Sequence, residues 1–430
     1  MLKMKRAVFL LLAAVLLIPV AACAAQPAAA GLLKSDKPRI TTPTVAPGDA
    51  AVLEQGNTAF ALALYRLLSR EPGNLFYSPY SISQALAMTW AGARGATETQ
   101  MADALDFLLS QDRLHPAFNA LALELAKRAQ ESSNENAPKP FVLDIVNALW
   151  GQTGFPFSEA YLDLLAQNYD AGLRTLDFDK DPEGSRKTIN DWVAEQTRDR
   201  IKDLIPQGAI DELTRLVLTN AIYFNASWQS PFKEENTADG TFTRLDGSTV
   251  TVPLMHQSGK YRYAEGNGYQ AVEILYDGAR TSMVVLLPEE GNFAAFESSL
   301  DAAKLNGIIG DLGTWMVDLT MPKFQYESEF GLAPALKALG MTDAFDPNTA
   351  DFSGMDGNRD LYVQDVVHKA FVSVDEAGTE AAAATAVIVG TTSMPPGPVA
   401  FTMDRPFIYL IRDIPTGAIL FLGRVTDPAA

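Results

Sequence analysis

Three histidines, His115, His256 and His368, and one cysteine, Cys23, are the side chains of this 430-residue sequence best suited to proton transfer or nucleophilic attack near neutral pH. A serine hydrolase needs a histidine poised beside an activated serine, and the sequence contains no G-x-S-x-G elbow. There is no H-E-x-x-H pair, no Walker-type glycine loop and no dinucleotide fingerprint after a strand. Cys23 belongs to an N-terminal leader region, which excludes a Cys–His protease in practice. Three scattered histidines and one cysteine do not make a clustered metal site. The expectation is a protein that is not an enzyme and needs neither metal nor cofactor.

The unusual chemistry lies in one backbone segment. Residues 374–389 read VDEAGTEAAAATAVIV and run into Gly390-Thr391-Thr392-Ser393-Met394-Pro395-Pro396-Gly397-Pro398. One reading is a short alanine-rich helix followed by a proline-rich loop. The other has period two: Thr379, Ala381, Ala383, Thr385, Val387 and Val389 share one face, all small or apolar, and Glu380, Ala382, Ala384, Ala386 and Ile388 the other. A segment with such a face can slide between two strands already packed on a core, and one large or charged residue on that face would stop it.

This segment resembles the reactive-centre loop hinge of the serpin family, whose pattern Glu-x-Gly-Thr-Glu-Ala-Ala-Ala-Ala-Thr is matched by Glu376 through Thr385. Further matches follow in family order over about residues 51–427. They are Asn74–Ser83 (NLFYSPYSIS), Thr219–Trp228 (TNAIYFNASW), Met321-Pro322-Lys323-Phe324, Leu339-Gly340-Met341 and Phe401–Tyr409 (FTMDRPFIY). The resemblance implies an α+β serpin fold: helices around three β-sheets, a large mixed main sheet and an exposed bait loop. It also implies a suicide-substrate inhibitor of serine, or cysteine, endopeptidases. The cut loop inserts into the main sheet while the protease is held as an acyl-enzyme, so the partner is a secreted protease in covalent complex with a monomer.

The same resemblance assigns site residues. Glu376, Gly378, Thr379, Glu380, Ala381, Ala382, Ala383, Ala384 and Thr385 form the hinge, with Thr379 expected to be the first side chain buried on insertion. Ser78, Ser81, Asn220 and His368 match a buried polar network, the shutter, beneath strands that must part. Glu376 and Lys323 match an ion pair near Trp228, where insertion begins. The bait bond lies a nearly fixed distance beyond the hinge glycine, which from Gly378 puts it between Thr392 and Ser393. Val389–Gly390 and Thr391–Thr392 are its rivals. A threonine before the cut, with Val387–Val389 upstream, implies elastase-like or subtilisin-like targets and a poor fit to trypsin. The alternative function is a non-inhibitory serpin acting as a carrier, chaperone or binding module, but such members carry bulky, charged or proline residues where Thr379–Thr385 is permissive.

The elements that must position these residues divide unevenly. Helical stripes dominate the first half: Ala51–Arg70, a helix capped by Ser78 with Pro79 in its first turn, one opened by a Thr97/Gln100 capping box, and Ser185–Arg200. Strand signals dominate the second: Leu216–Trp228, Ser282–Leu287, Met316–Met321, Leu361–Val374, Phe407–Arg412 and Ala418–Val425. Helices first and strands later fit an α+β domain rather than a βαβ alternation.

The N-terminus is built differently. Lys3, Lys5 and Arg6 precede an apolar or small stretch, Ala7–Ala22, in the pattern of a secretory signal. Val20-Ala21-Ala22-Cys23 resembles the bacterial lipoprotein box, which implies cleavage after Ala22 and lipidation of Cys23. An ordinary signal cut at a nearby Ala-x-Ala site is the alternative. Residues 1–22 are thus read as a signal peptide, 23–50, rich in Ala, Pro and Thr, as a flexible tether, and 51–430 as one serpin domain in the cell envelope or secreted. Ala24, not aspartate, leans towards an outer membrane. A formal net charge of −18 repels nucleic acid and anionic membrane surfaces, so no nucleic-acid partner is expected.

Overall fold

The structure is a computed structural model that describes residues 30–131, 140–379 and 397–430. Cys23, the hinge residues Glu380 to Thr385 and the expected bait bond Thr392–Ser393 lie outside the described residues.

Helices α1 (Asp49–Leu68), α2 (Pro79–Trp90), α3 (Gly95–Ala104), α4 (Gln111–Ala126), α5 (Arg128–Glu131), α6 (Glu159–Tyr169) and α7 (Pro182–Gln196) occupy the first half. The later helices are short: α8 (Phe293–Ser299), α9 (Ala302–Asp311), α10 (Ala333–Ala338) and α11 (Ser353–Asp356). A seven-stranded mixed sheet runs in the order β1 (Gly31–Leu33), β4 (Leu173–Leu176), β3 (Val142–Gln152), β5 (Leu216–Ser227), β13 (Gly378–Thr379), β12 (Val363–Val374), β11 (Phe324–Gly331). A second sheet of nine strands runs β14 (Val399–Thr402), β10 (Gly313–Pro322), β7 (Thr249–Gly266), β8 (Tyr269–Leu275), β9 (Thr281–Pro288), β15 (Phe407–Asp413), β16 (Ile419–Val425), β2 (Leu75–Tyr77), with β6 (Ala238–Thr243) beside β7. β7 is long enough to pair with β6, β10 and β8 along its length, so the expected second and third sheets are continuous through it.

Central position explains the composition of β5. All twelve of its residues are buried, because α2 packs on one side of the sheet and the cluster of Trp150, Ile189, Val193, Ile205 and Val217 covers the other. α2 starts as its sequence dictates: Ser78 Oγ accepts from Ser81 N–H at 3.2 Å and Pro79 occupies the first turn. The rings of Phe224, Tyr276, Phe421 and Phe76 then link the two sheets through the core.

Three expectations are corrected. Thr97 and Gln100 do not cap α3, which begins at Gly95. Thr97 Oγ1 instead accepts from Asp351 N–H, and Gln100 Oε1 from the Thr342 and Asp343 N–H groups, so the pair ties two distant loops to the helix. Strands β3 and β4 lie within the helical half, where no clean period-two pattern marks them. Finally, the tether reading of residues 23–50 fails from Gly31 onward. β1 pairs antiparallel with β4 at the sheet edge, Lys34 and Lys37 form ion pairs with Asp170 and Asp163, and Asn119 Nδ2 donates to the Ile40 carbonyl. Edge pairing of backbone needs no large apolar side chains, which is why composition did not announce it.

Candidate insertion site between the central strands

β5 and β12 run parallel and pair directly from Leu218 opposite Val366 to Ile222 opposite Ala370. Beyond Ile222 they separate, and β13 lies between them: Gly378 opposes Ser227, Thr379 opposes Ala226, and Thr379 also pairs with Val374. The chain reverses from β12 into β13 through a tight turn. Asp375 Oδ1 accepts from the Ala377 and Gly378 N–H groups, and Asp375 N–H donates to Gly378 O. Gly378 is required here: its φ is +153°, and a Cβ would stand 2.1 Å from the Ala226 carbonyl oxygen.

Side chains at the ends of neighbouring strands hold this turn. Trp228 stacks on Tyr276 at 4.6 Å, and its indole N–H donates to Asp375 O at 3.0 Å. Tyr276 Oη and Thr379 Oγ1 share a 2.8 Å hydrogen bond. Thr379 is only 2% exposed, so it is buried before any cut, which corrects the expectation that insertion would bury it first. Lys323 Nζ lies 2.8 Å from Glu376 Oε2, while Thr237 Oγ1 donates to Glu376 Oε1 at 2.8 Å. Burial alone would raise the Glu376 carboxyl; Lys323 and Thr237 outweigh it and hold the group below its ordinary range.

Below the turn, polar groups from four elements meet under the closed stretch. His368 on β12 and Asn220 on β5 face each other in the strand register, and their Nδ1 and Oδ1 atoms are hydrogen-bonded. Ser78 N–H donates to His368 Nε2 at 3.2 Å, so the imidazole carries its proton on Nδ1. Asn220 Nδ2 donates to Ser81 Oγ at 2.6 Å and to Asn147 Oδ1. Ser78 Oγ donates to the Leu420 carbonyl at 2.6 Å. Ser78, Ser81, Asn220 and His368 are fully buried, and burial pushes the imidazole down to about 3, so it is neutral.

The structure thus brings Ser78, Ser81, Asn220 and His368 into one network, and Trp228, Lys323, Glu376, Gly378 and Thr379 into one turn. Sequence reasoning missed Asn147, which closes the network from β3, and Tyr276 and Thr237, which hold the hinge. An asparagine set among Ile145, Val146, Ala148 and Leu149 was the signal available for Asn147.

The model of the family described as serpin (serine protease inhibitor) matches residues 55–428. The chain belongs to the serpin family. A serpin-like protein of Thermococcus kodakarensis is 41% identical over 373 residues, covering 86% of this chain and 84% of that protein. The leukocyte elastase inhibitor of Equus caballus is 38% identical over 387 residues, covering 87% of this chain and 99% of its own length. Among solved structures, the thermophilic serpin tengpin in its native state superposes with a TM-score of 0.79 at 28% identity, over 92% of this chain and 97% of that one. Serpins are protease inhibitors rather than catalysts, and the relatives of this serpin include inhibitors.

Proposed function

We propose that this serpin is a suicide-substrate inhibitor of secreted serine endopeptidases, held at a cell envelope as a lipid-anchored monomer through Cys23. One observation carries the inhibitory reading: Gly378–Thr379 already occupy the space between β5 and β12, antiparallel to β5. Extending that register places Ala381, Ala383 and Thr385 opposite Phe224, Ile222 and Asn220 on insertion. Each is small enough for the core face that Thr379 shares with Tyr276.

Inhibition runs through an acyl-enzyme. The protease serine attacks the bait carbonyl, the peptide bond breaks, and the amine of the downstream fragment leaves with a proton. Threonine 392 then remains as an ester on the protease. Water must enter to release that ester. Insertion of the freed hinge between β5 and β12 carries the protease away from the turn and distorts its active site before hydrolysis. The gain is a new strand paired on both sides.

A target of elastase-like or subtilisin-like specificity fits the uncharged Thr392 and the apolar residues upstream, and the resemblance to a leukocyte elastase inhibitor supports it. Incubation with elastase, subtilisin and trypsin, followed by denaturing electrophoresis, tests the reading. Covalent adducts with the first two, and a released fragment beginning at Ser393 by mass spectrometry, are expected. Cleavage by all three without any adduct would overturn inhibition and favour a binding role.

A further inference from the structure

The docked N-terminal segment determines which end of the domain can face a membrane. One transverse row crosses the seven-stranded sheet: Gly31 pairs with Thr175, Thr175 with Gly151, and Gly151 with Leu216. The hinge row, Gly378 opposite Ser227, lies at the other end of β5. From Leu216 to Ser227 an extended strand covers about 36 Å at ~3.3 Å per residue. Only residues 24–29 separate Cys23 from Ala30, and fully stretched they span about 25 Å. A lipid on Cys23 therefore cannot be drawn to the hinge end; it must emerge near the β1 end of the sheet.

That end carries the apolar surface such a position calls for. Leu32, Leu33 and Ile40 are 54%, 37% and 38% exposed within ten residues of chain, and Leu213, just ahead of β5, is 68% exposed at the same end of the sheet. Leu32 and Leu33 point to opposite faces of this edge strand, so β1 presents apolar side chains on both sides of its free edge. The neighbouring cations are neutralised in place: Lys34 Nζ is 2.7 Å from Asp170 and Lys37 Nζ 2.6 Å from Asp163. Two of the segment's cations can thus approach a bilayer as ion pairs, while Asp36 stays exposed beside them.

We propose that Leu32 and Leu33 on the free edge of β1, with Ile40 on the same docked segment, rest on the lipid bilayer and turn the hinge end away from it, toward arriving proteases. This rests on lipidation of Cys23, proposed above. It replaces a domain swinging on a long tether with one of fixed orientation.

The full-length lipidated protein supplies its own assay, because Cys23 is the only cysteine and its sulfur is blocked once lipidated. Leu32→Cys, Ile40→Cys and, as a control near the hinge, Glu235→Cys each introduce a single free thiol for a bimane label. The labelled proteins are bound to phosphatidylethanolamine–phosphatidylglycerol vesicles containing nitroxide lipid. Quenching several-fold stronger at positions 32 and 40 than at 235 is expected, with a blue shift at the first two only. Proteins that float with the vesicles yet show equal quenching at all three positions overturn the orientation while leaving the anchor intact. Failure to float, with no lipid mass on Cys23, overturns the anchor and the orientation together.

Discussion

Strands β5 and β12 pair directly over only part of their length: they are parted at the hinge end and locked together further down. At the hinge end two residues of β13 fill the gap, and contacts from Trp228, Tyr276 and Lys323 hold the turn in place. In the lower stretch no chain intervenes, and the His368–Asn220 contact bridges the strands over a buried network anchored on α2 and β3. The difference teaches that opening this sheet is not a matter of one uniform seam. At the upper end small side chains and backbone pairing make the intruding segment acceptable. At the lower end each hydrogen bond of a sealed polar cluster must be broken before the next hinge residue finds a partner, so a partly opened sheet is costly.

The largest expected effect comes from forcing the two ends apart chemically. Ala383→Arg puts a guanidinium on the core-facing side of the inserting strand, where burial without a partner costs several kcal/mol. The protein should fold with an unchanged melting temperature, be cut at the same bond and form no adduct; undiminished adduct on denaturing gels would remove the insertion reading. Thr379→Arg should differ. That side chain is already buried against Tyr276, so this variant should lose adducts and also melt lower, and a melting temperature equal to wild type would show that the turn is not held as described.

Cleavage within the bait segment of the wild type should raise the melting temperature, because the freed hinge gains strand partners on both sides. An ordinary nick frees chain ends and lowers stability. An unchanged or lower value in calorimetry would mean that the lower stretch stays closed after cutting.

Acid should act on two buried imidazoles, His368 in the lower stretch and His115 on α4 beside Tyr169. His368 and His115 are buried neutral, with burial pushing both down to about 3 from an ordinary value near 6.5. Between those values the unfolded chain binds protons that the folded chain refuses, so their contribution is intact above pH 6.5 and is lost progressively toward pH 3. At pH 5 the loss is about 2 kcal/mol for each histidine. Urea titrations at pH 7 and pH 5 should show it, and His368→Gln should shrink the difference by about half; an unaltered pH dependence would place the titrating group elsewhere.

The smallest effect is expected at the upper end. Lys323→Met removes the cation from a pair whose lysine is 39% and glutamate 11% exposed, and because Thr237 still donates to the carboxylate the loss is about 1 kcal/mol. Equilibrium stability should hardly move, whereas adduct formation in stopped-flow mixing should become faster if the pair restrains the turn. Equal rates would leave Trp228 and Tyr276 as the holding contacts.

Much of this was legible in the residue string. Glu376-Ala377-Gly378-Thr379 and the small residues after it prescribe a strand that fits between others, because side-chain size and the need for a Cβ-free position are local properties. Ser78-Pro79 prescribes the start of α2 for the same reason. Tertiary structure decided what depends on partners far away in sequence. Period two says which side chains of β5 share a face but not that His368, 148 residues on, meets Asn220, or that Asn147 completes the cluster from β3. It does not reveal that Thr379 is already buried, because its cover, Tyr276, comes from another sheet. The same holds for residues 31–40. Their sequence reads as a tether, and only the free backbone edge of β4, invisible in the composition of either segment, turns part of it into a strand.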